Sequence, residues 1–137
     1  MKITCMTFKR CNICGQIVGV INDSGLPPMC CGEEMETISP KTVETELGEK
    51  HIPIFKKESN KLIIQVGQVL HPNTEAHHIE WVALVTNKGH QRKALDPTDL
   101  PIITFMLDND EEPLEIYAYC NIHSLWGLDV KNDSKCL

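Results

Sequence analysis

Residues 114–123, LEIYAYCNIH, combine a strand-like run with a pair of metal-binding side chains. The run from Leu114 to Cys120 is rich in β-branched and aromatic residues, a composition typical of β-strands. Cys120 and His123 are spaced so that both side chains can reach one metal ion across a single turn. The stretch therefore predicts a strand that carries metal ligands at its end.

Five similar runs precede this one, and turn-forming residues such as Asn87-Lys88-Gly89 separate them. The runs cover residues 52–55, 62–66, 79–85, 92–95 and 102–107. Their regular spacing, with no helical periodicity, predicts an all-β domain built as an immunoglobulin-like antiparallel β-sandwich. We expect its core to include the apolar residues Phe55, Leu62, Ile64, Val66, Val82, Leu84 and Phe105.

The first 38 residues have a different character, because four cysteines fall between residues 11 and 31 in a stretch rich in glycine and proline. Cys11 and Cys14 have the Cys-x-x-Cys spacing that lets two thiolates from one turn share a tetrahedral metal. A unit of fewer than about 40 residues needs a metal or a bridge to fold, because it cannot bury much surface. The sequence therefore predicts a small metal module at residues 1–38, a polar linker at 39–48, and a domain at 49–137.

The second cysteine pair of this module is adjacent in sequence. Neighbouring side chains of an extended chain point to opposite faces, so Cys30 and Cys31 can share a metal only if the backbone turns there. Pro27, Pro28 and Gly32 flank the pair and favour such a turn. Four thiolates suit either a structural zinc ion or a redox iron, and the spacing leaves both open, with a disulfide as a third alternative.

Five of the six histidines fall near strand ends of the larger domain: His51, His71, His77, His78 and His123. Because His77 and His78 are adjacent at the start of a strand, their side chains face opposite sides, and at most one can join a given site. A single histidine beside a strand is more often a surface residue than a ligand, but the combination with Cys120 predicts a mixed His/Cys metal site. Imidazole suits iron, zinc and copper alike, so the spacing leaves the metal and the function open.

Charge and composition narrow the class of protein. With 13 basic and 19 acidic residues the net charge is −6, which argues against a general nucleic-acid binder. The apolar fraction of 42% favours a folded core over disorder. The start of the chain lacks a secretory signal pattern, and no apolar stretch is long enough to span a bilayer. We therefore expect a cytoplasmic protein, a setting in which clustered cysteines bind metals more often than they form disulfides.

Six segments, in this order along the chain, resemble the desulfoferrodoxins, the two-domain class of superoxide reductases. The segments are CNICGQIV (11–18), MCCGEEM (29–35), EKHIPI (49–54), His71-Pro72, EAHHIEW (75–81) and YCNIHSLW (119–126). The resemblance covers nearly the whole chain. It implies a desulforedoxin-like module followed by a superoxide reductase domain.

The resemblance also implies two iron centres. In the first, an Fe(Cys)₄ centre, the ligands would be Cys11, Cys14, Cys30 and Cys31, and zinc remains an alternative metal there. In the second, an Fe(His)₄Cys centre, His51, His71, His77 and His123 would lie in the equatorial plane with Cys120 axial. The family pattern selects His77 over His78. The sequence departs from the family at Ser124, which stands where glycine is usual.

The implied activity is one-electron reduction of superoxide to hydrogen peroxide, with the iron re-reduced by an external donor such as rubredoxin. Lys50 would attract the anion, and Glu49 would cap the iron after the product leaves. A homodimer is also implied. A pure electron carrier and a non-enzymatic zinc-binding protein remain the alternatives, and neither Cys5 nor Cys136 receives a role.

Overall fold

The structure, a computed structural model, describes residues 6–42 and 50–130. Glu49, Cys5 and Cys136 therefore lie outside the described residues. The chain divides into two compact units, residues 1–39 and residues 40–137. The described part contains twelve strands, all of which pair antiparallel with their neighbours.

The first unit is a small arrangement of short strands around few buried side chains. Its strands are β1 (Thr7–Arg10), β2 (Ile17–Val20), β3 (Met29–Cys30), β4 (Glu33–Glu34) and β5 (Glu36–Thr37). They form a three-stranded sheet in the order β2-β1-β5 and a separate β3-β4 hairpin. Among its described residues, Phe8, Cys11, Met35 and Ile38 are the buried ones. So small a core makes a further source of stability necessary.

The second unit is an antiparallel β-sandwich, which confirms the fold predicted from the sequence. Its strands are β6 (Pro53–Glu58), β7 (Lys61–Val66), β8 (Ile79–Thr86), β9 (Gly89–Ala94), β10 (Ile102–Met106), β11 (Pro113–Cys120) and β12 (Ser124–Asp129). One sheet has the order β10-β7-β6, and the other has the order β12-β11-β8-β9. Their facing side chains form one core cluster of fully buried residues from β7, β8, β10 and β11.

Two details of the sandwich differ from the sequence-based expectation. Strand β12 was not predicted, and the expected core residue Phe55 is 39% exposed. Phe55 lies on β6, an edge strand on which every residue after Pro53 is exposed, so this strand contributes little to the core. The other six expected core residues are fully buried.

No helix in the described ranges 6–42 and 50–130 combines the length and the apolar character that crossing a membrane requires.

Candidate metal centres

The four cysteines of the first unit come together at the ends of two turns. Cys11 follows β1, and the chain then turns through Gly15, whose amide donates a hydrogen bond to the Cys11 carbonyl at 2.9 Å. Of the adjacent pair, Cys30 is the last residue of β3 and Cys31 follows it, and the backbone turns there through positive φ angles at Cys31 (53°) and Gly32 (78°). The turn predicted between Cys30 and Cys31 is therefore present. The four cysteine sulfurs lie within 4.8 Å of one another.

The amides of the first turn stabilise a thiolate. The Cys14 and Ile13 amides both donate to the Cys11 sulfur at 3.4 Å, and these hydrogen bonds lower the pKa of Cys11 to about 6. Cys14 and Cys30 sulfurs lie 3.6 Å apart, and this contact is the main cause that raises the pKa of Cys30 to about 12. One thiol ionises readily, whereas the next is held back because anions at this spacing repel one another. A cation at the centre of the four sulfurs would remove that repulsion, so the cluster fits a metal ion.

The second cluster is assembled at the end of the sandwich from elements of both sheets. His51 precedes β6, His71 lies between β7 and β8, and His77 lies two residues before the start of β8. Cys120 is the last residue of β11, and His123 lies in the turn between β11 and β12. The ligand atoms of His51, His71, His77 and Cys120 lie within 4.8 Å of one another, and His123 lies beside them.

The four imidazole rings surround a common centre, and each ring is adjacent to two of the others. Ring centroids are 4.5 Å apart for His51–His71, 4.5 Å for His71–His77, 5.1 Å for His77–His123 and 4.8 Å for His123–His51. The distance across the ring, from His51 to His77, is 6.1 Å. Each neighbouring pair is steeply inclined, between 66° and 81°. Cys120 adds a sulfur to this square, 3.8 Å from His123 Nδ1.

The nitrogen positions test whether a metal fits this square. His71 Nε2 lies 3.0 Å from His51 Nε2, and His123 Nδ1 lies 3.2 Å from the same atom. Nitrogens at right angles around a metal, each about 2.1 Å from it, stand about 3.0 Å apart. In addition, His77 Nε2 is buried without a hydrogen-bond partner. A buried polar atom without a partner is costly, and a metal ion would satisfy it. The residues therefore fit a metal held by imidazole nitrogens.

Burial sets the protonation of these groups. It is the main cause that lowers the pKa of His71 to about 4, with the neighbouring His51 adding to the effect. Burial likewise lowers the pKa of His77 and raises that of the Cys120 thiol, which the amides of His123 and Ile122 partly oppose. The His71 imidazole is thus neutral near pH 7, which is the form that binds metals. Its Nδ1 hydrogen bonds to the Pro72 carbonyl, which leaves Nε2 directed at the cluster.

The adjacent residue His78 is held elsewhere. Its Nδ1 hydrogen bonds to the Thr74 carbonyl at 2.9 Å, whereas His77 Nε2 belongs to the cluster. The remaining histidine, His90, lies on β9 opposite Val85. Lys50 is exposed beside His51, and its charge contributes to the lowered pKa of His77. Glu49, the other expected catalytic residue, lies outside the described residues.

Three residues help to position the ligands, and two of them, Gly67 and Asn121, were not identified from the sequence. Gly67 has φ 87°, and a Cβ there would overlap the carbonyl oxygens of Val69 and Lys50, so this turn can approach the His51 segment only without a side chain. Trp126 stacks on His51 with a centroid distance of 4.7 Å and a tilt of 23°. The third residue is Asn121, inside the Cys-x-x-His pair. Gly67 could have been recognised from the sequence, because it is a glycine between the end of the predicted strand 62–66 and the candidate ligand His71.

Asn121 connects the loop of His77 to the turn of Cys120 and His123. Its side-chain amide donates to the Ala76 carbonyl at 3.0 Å and accepts from the His78 amide at 2.9 Å. Its backbone amide donates to the His78 carbonyl at 3.2 Å. These three hydrogen bonds bracket His77 on both sides. The sequence offered no signal for them, because the partners lie more than 40 residues upstream.

Comparison with known proteins gives consistent matches over the described chain. The family model described as Desulfoferrodoxin matches residues 43–129, and that of the Desulfoferrodoxin N-terminal domain matches residues 6–38. A desulfoferrodoxin homolog of Archaeoglobus fulgidus is 39% identical over 88% of this chain and 94% of its own length. A desulfoferrodoxin of Syntrophotalea carbinolica is 38% identical over 86% of this chain and 91% of its own. The crystal structure of the superoxide reductase from Treponema pallidum matches with a TM-score of 0.78 and 30% identity, covering 94% of this chain and 100% of that one.

Proposed function

Because the chain belongs to the desulfoferrodoxin family, we propose that it is a superoxide reductase. The overall reaction combines superoxide, one electron and two protons to give hydrogen peroxide. The observation that carries the proposal is the square of four imidazoles with a buried thiol beside it at the end of the sandwich. The similarity to the Treponema pallidum superoxide reductase supports it independently.

We assign the two clusters to iron. The first iron would be bound by Cys11, Cys14, Cys30 and Cys31, with zinc as the alternative metal. The second would be bound by His51, His71, His77, His123 and Cys120. Iron bound there would supply a one-electron couple, and the Cys120 thiolate would donate electron density to it. The 3.0 and 3.2 Å spacings of the nitrogens and the unpartnered His77 Nε2 support this ligand set.

The residues around the second centre bind the substrate and control its access. Lys50 is exposed and is the neighbour of His51 in sequence, so it places a positive charge near the cluster that attracts an anion to a protein of net charge −6. Such local fields raise association rates by roughly 10 to 10³. Glu49, its neighbour in sequence, is proposed as an exchangeable carboxylate that would cap the iron when no substrate is bound.

The remaining parts of the proposal concern partners and organisation. A small one-electron donor of the rubredoxin type would re-reduce the second iron, and the chain would act as a homodimer in the cytoplasm. We divide the chain into a desulforedoxin-like domain at 1–38, a linker at 39–48 and a reductase domain at 49–137. The compact units meet between residues 39 and 40, which supports the first of these boundaries.

One preparation of the full chain tests the function. Iron per chain is measured, and the reduced protein is then mixed with a pulse of superoxide while iron oxidation, hydrogen peroxide and oxygen are followed. Iron oxidation with peroxide formed and no oxygen evolved supports the reductase. Oxygen evolution would indicate dismutation, an unreactive iron would indicate an electron carrier, and zinc in both centres would indicate a structural protein.

Replacement of Lys50 tests the role of its charge. Lys50→Ala should slow the reaction with superoxide about tenfold and weaken its salt dependence, because the local positive field is lost while the ligands remain. The measurement is the second-order rate constant at several ionic strengths, together with iron content. The control is Lys56→Ala, since Lys56 is also exposed but is paired with Glu58 at 2.8 Å on β6. Equal rates for Lys50→Ala and the wild type would contradict the role.

A further inference from the structure

Lys41 lies at the start of the second unit, and its backbone is fixed against β12. It forms a parallel bridge with Trp126. Its amide donates to the Leu125 carbonyl at 2.9 Å, and its carbonyl accepts from the Gly127 amide at 3.0 Å. The direction in which the side chain leaves the backbone is therefore determined by the sandwich.

The Lys41 ammonium group contacts the second centre through the backbone of a proposed ligand. Nζ donates a hydrogen bond to the His123 carbonyl at 3.0 Å and lies 5.3 Å from the centroid of the Trp126 ring. Trp126 Nε1 donates to the same carbonyl at 3.1 Å, and the Trp126 ring stacks on His51. Two proposed ligands, His51 and His123, are thus held by a pair of side chains that also hold each other by a cation–π contact.

The residue that accepts the Lys41 hydrogen bond also contacts the sulfur of the centre. The His123 amide donates to the Cys120 sulfur at 3.4 Å, and His123 Nδ1 lies 3.8 Å from the same sulfur. The positive charge of Lys41 is therefore held on the backbone of a residue that contacts the Cys120 sulfur through both its amide and its ring.

We propose that Lys41 is a positioning residue of the second centre, which holds a positive charge on the backbone carbonyl of His123 and so raises the reduction potential of the metal bound there. The proposal rests on the proposed iron at this centre. The physical reason is that the reduced centre carries one unit less positive charge than the oxidised centre, so a nearby fixed cation favours reduction. Because Lys41 is exposed and screened by solvent, we expect an effect of about threefold in the reduction equilibrium.

Redox titration of the iron-loaded full chain tests this proposal. Lys41→Met removes the charge and keeps the aliphatic chain, Lys41→Gln removes the charge and keeps a donor, and Lys41→Arg keeps the charge. In equilibrium with a mediator dye, both neutral variants should shift about threefold toward the oxidised centre, and Lys41→Arg should match the wild type. The thiolate-to-iron absorption band of the neutral variants should shift as well, because the electron density on the sulfur changes.

The matched control is Lys93, which makes the same two kinds of contact as Lys41. Lys93 on β9 also donates to a backbone carbonyl, that of Thr104, and also lies over an aromatic ring, 5.4 Å from the centroid of Phe105. Its partners belong to β10 in the opposite sheet. Lys93→Met should therefore leave both the equilibrium and the absorption band unchanged.

The outcomes separate this proposal from the proposed function. A wild-type equilibrium in Lys41→Met or Lys41→Gln would overturn the role of Lys41 while leaving the reductase intact. An equal shift in Lys41→Arg, or loss of iron from both neutral variants, would show that Lys41 acts only as a structural contact and would also overturn it. A wild-type protein without iron in the second centre would overturn both proposals.

Discussion

The two metal clusters of this chain differ in what surrounds them. The cysteine cluster lies in a unit whose described buried residues are few, and two of its sulfur-bearing residues, Cys14 and Cys31, are exposed. The histidine cluster lies at the end of a sandwich with a large apolar core, and His51, His71 and Cys120 are 1%, 2% and 0% exposed. The comparison teaches that a metal in the first cluster stabilises the fold, whereas the fold of the second unit positions the ligands of its metal.

The largest expected effect follows from removing a ligand of the first cluster. Cys11→Ser should release its metal and unpair β1, β2 and β5, because Phe8, Met35 and Ile38 alone cannot stabilise the unit. Hydrogen exchange followed by mass spectrometry, with metal analysis, should show amides of β1 and β2 exchanging at least about 10²-fold faster. Amides of β7, β8 and β11 should be unaffected.

The control for this variant is Ile13→Ser, in the same turn but 59% exposed, which should leave both units protected. Loss of protection in β8 and β11 along with β1 would contradict this difference between the two units, since the sandwich would then depend on the first metal for its stability.

Removal of a ligand from the second cluster should have a smaller effect on folding and a large one on chemistry. His77→Ala should abolish iron binding in the second centre and lower the rate with superoxide by at least about 10²-fold. The free energy of unfolding, compared between the metal-free chains, should change by only about 1 kcal/mol, because the core cluster of the sandwich is intact. Iron content, superoxide kinetics and denaturant unfolding measure the three quantities.

His78→Ala is the matched variant, since His78 is adjacent but hydrogen bonded to the Thr74 carbonyl. It should keep its iron. The reverse result, with iron lost from His78→Ala and kept by His77→Ala, would show that the wrong histidine of the pair has been assigned.

A residue that positions a ligand should have an intermediate effect. Asn121→Ala removes two side-chain hydrogen bonds to the loop of His77, so the iron affinity of the second centre should fall about 10- to 100-fold. Competition with a chelator measures this affinity. Asn60→Ala removes an exposed side-chain hydrogen bond to Asn109 and serves as the control, with no change in affinity expected. Equal affinities for the wild type and Asn121→Ala would mean that the loop is held by the backbone alone.

The smallest effect concerns the backbone next to a ligand. Ser124 has φ 66°, a left-handed conformation that is costly for a residue with a Cβ, which explains why glycine is usual there. Ser124→Gly should raise the free energy of unfolding by about 0.5–1 kcal/mol, measured by denaturant unfolding of the iron-loaded chain. Ser59→Gly is the control, because Ser59 has φ 55° in the β6–β7 turn and is far from His123 in the sequence. It should give a similar gain in the free energy of unfolding. A loss of stability in Ser124→Gly alone would show that the Ser124 side chain supports the centre.

The sequence predicted those features that depend on neighbouring residues. Alternation and turn residues indicated six of the seven strands of the sandwich, and the Cys-x-x-Cys and Cys-x-x-His spacings indicated two metal clusters. Strand β12 was missed because Gly127 interrupts its apolar pattern, and its pairing with β11 is what gives it a regular conformation.

The features that could not be predicted depend on residues far apart in the sequence. The order of the four imidazoles around their centre, and the use of Nδ1 by His123 beside Nε2 of His51, follow only from the packing of two sheets. The same holds for Lys41, whose bond to the His123 carbonyl spans 82 residues. Gly67 is the exception, since its position between a strand and a ligand was visible, but the carbonyl groups that approach it were not.

The square of imidazoles has a consequence for how the sandwich comes apart. His51 and His123 face each other across 72 residues of chain, and their strands are the first and nearly the last of the unit. A metal bound to both is therefore a cross-link that closes a loop of this length, and such a link restricts the unfolded chain much as a disulfide does. When the metal is bound, the open end of the sandwich, opposite the cross-link, is where we expect thermal unfolding to begin.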